Sequence, residues 1–106
     1  MRVLVTNDDG ILSTGLHHLA VALERSGHDV VIVAPARDYS GFGAAIGPLH
    51  LAGKVDFERM HFEEVAHPAF SVDGPPALCV LAAMMGGFGP RPDFVVSGIN
   101  AGANTG

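Results

Sequence analysis

The chain lacks the features that define several protein classes. Cys79 is its one cysteine among 106 residues, so no internal disulfide can form and a reducing compartment fits. Basic residues are scarce: six Lys and Arg stand against eleven Asp and Glu, giving a net charge of −5 with the histidines neutral. No basic stripe interleaved with aromatics is present, which argues against a nucleic-acid polymer as partner. No apolar run reaches membrane-spanning length. Asp8 and Asp9 interrupt the first apolar stretch too early for a signal peptide. The expectation is a cytoplasmic protein with no membrane partner. There is no low-complexity run, and with 48% hydrophobic and 16% charged residues the composition is that of a globular domain or part of one. A small anionic substrate is compatible with the negative charge, because a bound cation reverses the local sign.

What is present is an alternation of strand and helix patterns. Val3-Leu4-Val5 reads as a strand buried on both faces. Leu16, Leu19, Ala20 and Leu23 then recur at helical spacing, with His17, His18, Glu24 and Arg25 expected on the solvated side. Ser13 or Thr14 suits the helix start and Gly27 the stop. Val30 to Ala34 forms a second apolar strand ended by Pro35. This strand-helix-strand unit predicts parallel pairing. Residues 36–48 read as a loop, and short strands are expected around Leu49–Val55 and Phe70–Val72. A helix is expected over Ala77 to Met85, and a further buried strand over Phe94 to Ser97. The fold class is α/β: a Rossmann-like parallel sheet in a three-layer αβα arrangement. It is expected to be incomplete at its C-terminal end, because the last strand feeds a glycine-rich loop and no helix follows to cover it.

In an open parallel sheet, ligands bind beyond the carboxyl ends of the strands. Three loops should open there: Asn7-Asp8-Asp9-Gly10, Asp38-Tyr39-Ser40-Gly41 and Ser97-Gly98-Ile99-Asn100. Their polar atoms are almost all oxygen, which suits Mg²⁺, Mn²⁺ or Ca²⁺ rather than Zn²⁺. Asn7 to Gly10 also has the composition of a plain turn, but two adjacent carboxylates repel and a cation removes that cost. Ser40 and Asn100 gain weight only from sharing the edge with Asp8 and Asp9. Gly41, Gly43 and Gly47 miss the dinucleotide-binding spacing, and Gly98, Gly102 and Gly106 lack the Lys-Ser/Thr of a P-loop. A phosphate-holding backbone nest and a flexible loop both fit that last stretch. None of the six histidines shows ligand spacing, and Cys79, in an apolar helix, reads as core.

Met1 to Gly10, Gly27-His28-Asp29-Val30 with Val33-Ala34-Pro35, Arg37 to Gly41, and Pro92 to Asn104 together resemble the SurE family of metal-dependent 5′/3′-nucleotidases. The resemblance frames nearly the whole chain. It implies that residues 1–106 form the N-terminal, Rossmann-like, metal-binding region of a longer domain. It further implies a divalent metal, Mg²⁺ or Mn²⁺ with Ca²⁺ as a crystal substitute, held by Asp8, Asp9, Ser40 and Asn100. Asp8 and Asp9 would be the catalytic acids, as base or nucleophile, and Asn104 with Gly102 would hold substrate phosphate. The implied reaction is hydrolysis of nucleoside monophosphates, extending to short polyphosphate, by a homo-oligomer (dimer or tetramer) of the full-length protein. Two stretches depart from the family pattern. Ala44-Ala45-Ile46-Gly47 replaces a Ser-Leu-Thr-like stretch, and Pro75 and Leu78 stand where Thr and Asp are usual. Three other readings compete: a receiver-like signalling module that binds metal without catalysis, a truncated inactive fragment, and the N-terminal half of a glycosyltransferase. The receiver needs an Asp after its third strand, where this chain offers Ser97 and Asn100. The glycosyltransferase class prefers glycine to paired acids after the first strand.

Overall fold

The computed structural model describes residues 1–37 and 56–98. Within them the chain runs β1 (Arg2–Thr6), α1 (Thr14–Arg25), β2 (Asp29–Pro35), β3 (Phe57–Met60), β4 (Ala69–Val72), α2 (Pro76–Met84) and β5 (Phe94–Ser97). The five strands form one sheet in the order β3-β4-β2-β1-β5. β1 pairs in parallel with β2 and β5, and β2 pairs in parallel with β4. The expectation of an all-parallel sheet needs one correction: β3 lies antiparallel to β4 at the edge. β3 was not legible as a strand, because Glu58 and Arg59 break the apolar run and edge strands need no second buried face. The strand expected over Leu49–Val55 lies outside the described residues.

Alternation along β1 and β2 explains the layers. Val3, Val5, Val30, Ile32 and Ala34 face α1, where they pack with Leu16 and Ala20. Leu4, Val31 and Val33 face the opposite way, onto Leu78, Cys79 and Ala83 of α2. The central strands are therefore covered on both sides, which accounts for their unbroken hydrophobicity. The expectation that β5 is buried fails within the described residues: Phe94 is 54% and Val95 39% exposed. β5 occupies a sheet edge, with its described partner β1 on one side only. No helix among the described residues is long and apolar enough to cross a membrane.

Both helices end by the same device. The amide of Gly27 donates to Glu24 and that of His28 to Leu23, with Gly27 at φ +90°. This is the double bond that caps a helix once one residue turns left-handed. α2 repeats it, with Gly86 donating to Ala83 and Gly87 to Ala82. At its other end α1 starts after Ser13, whose side chain makes no cap bond. α2 starts with Pro76, whose missing amide hydrogen costs nothing at a first helical position.

Candidate metal centre

Parallel register aligns the carboxyl ends of β1, β2, β4 and β5 along one edge of the sheet. There Thr6 lies opposite Ser97, and Pro35 opposite Val72. Asn7-Asp8-Asp9-Gly10 leaves β1 at the middle of this edge. On one side Gly98 follows β5, its amide donating to the carbonyl of Thr6 at 3.0 Å. On the other, Ala36 and Arg37 follow β2 and pass against Gly10.

The plain-turn reading of the acidic segment holds for its two outer residues. Asn7 and Gly10 make the turn. Fully buried Asn7 donates from Nδ2 to the Gly10 carbonyl at 3.1 Å and accepts the Gly10 amide on Oδ1 at 3.2 Å. Gly10 has φ +111°, and a β-carbon there would meet the Arg37 carbonyl carbon at 3.1 Å. Both constraints call for glycine. With the turn closed by its outer residues, Asp8 and Asp9 are left at its tip and half-buried.

Asp8 carries the distinctive electrostatic feature. Its Oδ1 is buried and has no hydrogen-bond partner among the described residues. A buried carboxylate oxygen without a donor is costly. A hard divalent cation beside it removes that cost, because such ions take carboxylate, hydroxyl and carboxamide oxygens as ligands. The carboxylates of Asp8 and Asp9 are donors of the kind such an ion takes. Thr6, two residues earlier at the end of β1, also buries its hydroxyl without a hydrogen bond of ordinary geometry among the described residues. The nearby Cys79 thiol is a weak partner for it. Burial pushes that thiol up to about 12, so Cys79 is inert core, as its apolar helix suggested.

The other expected site residues fall differently. Ser40, Asn100, Gly102 and Asn104 lie outside the described residues. The described backbone reaches Arg37 and Gly98, from which Ser40 and Asn100 follow in sequence. Among the described residues no group of three His, Cys, Asp or Glu is placed to hold a metal. His18 is solvent-exposed, as expected, but the same expectation for His17 is corrected: His17 is 6% exposed. The connection after β3 causes this. Phe62 stacks on the His17 ring at 4.1 Å between centroids, widening the buried flank of α1. Helical spacing alone could not reveal a partner 45 positions away in sequence. The role of Asn7 was closer to hand, in the Asx chemistry of an Asn three residues before Gly.

The fold and site together define an open α/β sheet with an oxygen-rich acidic turn at the carboxyl ends of its central strands. Residues 3–106 match the family described as Survival protein SurE, and the chain belongs to that family. It is 43% identical to a 5′-nucleotidase SurE from Solidesulfovibrio magneticus over the whole chain and 40% of that relative. It is 45% identical to one from Xanthomonas campestris pv. campestris, again over the whole chain, covering 38% of the relative. Among solved structures, the crystal structure of SurE protein from Aquifex aeolicus superposes with a TM-score of 0.72 at 34% identity. That match covers all of this chain and 40% of the Aquifex chain. The chain thus spans about 40% of the length of the curated relatives it matches.

Proposed function

We propose that residues 1–106 are the N-terminal metal-binding region of a phosphomonoesterase. It hydrolyses nucleoside 5′- and 3′-monophosphates, and short polyphosphate, to release phosphate. The observation that carries this reading is the buried Oδ1 of Asp8 at the carboxyl edge of the sheet, without a hydrogen-bond partner among the described residues, in a chain of a family whose relatives are named 5′-nucleotidases. Asp8, Asp9, Ser40 and Asn100 hold a divalent cation, Mg²⁺ or Mn²⁺. When bound, the cation neutralises charge on the phosphoryl oxygens and acidifies a water. Asp8 or Asp9 acts as general base toward a water or as nucleophile. Asn7 and Gly10 keep the two acids at the tip of the turn, and Asn104 with Gly102 contacts the phosphate. The functional unit is a homo-oligomer of the complete protein in the cytoplasm.

The test is phosphate release by the complete protein from 5′- and 3′-nucleoside monophosphates and from a short polyphosphate, with Mg²⁺, with Mn²⁺ and with EDTA. Release should require metal, and Asp8→Asn should lower it by at least about a hundredfold. Release that persists in EDTA, or in Asp8→Asn, refutes the reading.

A further inference from the structure

Ile11, the first residue after the acidic turn, is held from two directions. Its amide donates to the Pro35 carbonyl at the end of β2, at 2.8 Å. Its carbonyl lies 2.8 Å from Nε2 of His17 on α1. The side chain is itself buried, at 2% exposure. A carbonyl can only accept, so Nε2 of His17 carries the proton and donates it. Nδ1 faces Glu64 Oε2 at 3.6 Å, too far for a hydrogen bond. The Phe62 ring stacked on the imidazole fixes the orientation of that donor.

We propose that His17 is a positioning residue for the acidic turn, acting through the Ile11 carbonyl; this rests on the metal-centre reading above. Gly10 is tied to Asn7, and Ile11 to both Pro35 and His17. The turn therefore has its amino side anchored in β1 and its carboxyl side clamped between β2 and α1. Asp8 and Asp9 lie between these anchors. Loss of the His17 donor would leave a buried carbonyl unpaired and free the carboxyl side of the turn from α1. The two carboxylates would then no longer be held at one separation, and metal affinity would fall.

Three substitutions separate this role from simple packing. His17→Phe keeps the stack on Phe62 and removes the donor. His17→Gln places an amide nitrogen at about the reach of Nε2. His17→Asn keeps an amide but is too short to reach. In the complete protein, calorimetric titration with Mn²⁺ should show His17→Gln binding within about twofold of wild type. His17→Phe and His17→Asn should bind about tenfold more weakly, the scale of an outer-shell contact. Phosphate release should fall in kcat rather than in KM for the nucleotide. Thermal unfolding in EDTA identifies the folded variants, and if His17→Phe does not fold, the Gln and Asn pair decides. Equal Mn²⁺ affinity in all folded variants overturns the role of His17 and leaves the metal centre intact. Unfolding of all three assigns His17 to the fold alone. A wild-type protein that binds no Mn²⁺ overturns both readings.

Discussion

The amino ends and the carboxyl ends of the same strands satisfy their carboxylates unequally. At the amino ends, Asp29 is bound by Arg2 at 3.1 Å and by Nε2 of His67 at 3.2 Å. Glu24 accepts the amides of Ala66 and His67, each at 3.1 Å, and Nδ1 of His67 at 2.6 Å. Asp93 accepts the Arg2 amide at 3.0 Å, and the Arg2 guanidinium also donates to the carbonyls of Phe88 and Pro90. This cluster ties β1, β2, the end of α1 and the approaches to β4 and β5 together. At the carboxyl ends Asp73 pairs with Arg37 at 3.4 Å, but Asp8 keeps a buried oxygen with no hydrogen-bond partner among the described residues. The amino edge uses its acids to hold elements together; at the carboxyl edge Asp8 retains an oxygen that no described residue satisfies. Acid count cannot distinguish the two, but hydrogen-bond satisfaction does.

That contrast is broken or sharpened by substitutions at the two edges. The largest difference should come from Arg2→Met set beside Asp8→Asn. Arg2→Met removes a hydrogen-bonded cation from a mostly buried position and should cost roughly 2–3 kcal/mol in urea unfolding, with phosphate release by the complete protein retained. Asp8→Asn should be as stable as wild type in EDTA, or more so, while losing that release. If both variants lose stability alike, the two edges are not different in kind.

Next in size is a pair of glycines. Gly10→Ala forces a β-carbon against Arg37 at φ +111°, and Gly27→Ala meets no atom within 4 Å at φ +90°. Both should lose about 1–2 kcal/mol to backbone strain. Only Gly10→Ala should also weaken Mn²⁺ binding, because it displaces the turn that carries Asp8 and Asp9. Equal Mn²⁺ affinity in the two variants would show that the turn tolerates displacement.

The smallest effect concerns acid. Burial raises the Glu24 carboxyl, but the hydrogen bonds from the His67 ring and from the amides of Ala66 and His67, with the His67 charge, outweigh it and hold it below its ordinary value. A depressed folded-state value means that its stabilisation is complete above the unfolded value of about 4.3 and is lost as pH falls through the folded one. Glu24→Gln should therefore flatten the decline of melting temperature below about pH 4.3 and change little near neutrality beyond a constant offset. An unaltered acid limb would remove Glu24 from the amino-end cluster.

Much of the central architecture was legible in the sequence, because β1 and β2 are covered on both faces and so carry unbroken apolar runs. β5 carries the same kind of run, Phe94-Val95-Val96, and was read as equally buried. Its exposure shows that composition reports the burial a strand suits, not the cover it has within the described residues. The acidic turn was legible because Asn, Asp and Gly each have specific local chemistry. What could not be read were partnerships across long sequence distance. His17 depends on Phe62, and the structural use of Glu24 and Asp29 depends on His67. A histidine on a helix looks solvated until the covering segment is known.

The pairing of β1 also fixes an order of events during synthesis. Val3 pairs with Val30 on one side and with Phe94 on the other. The first partner is made soon after β1, whereas the second emerges only once the chain has grown from residue 30 to residue 94. At ribosomal speeds of about 5–20 residues per second, that interval is roughly 3–13 s. Through it, the strand that ends in the acidic turn has one edge not yet satisfied by β5, so the first strand of the sheet to be made is among the last to be completed.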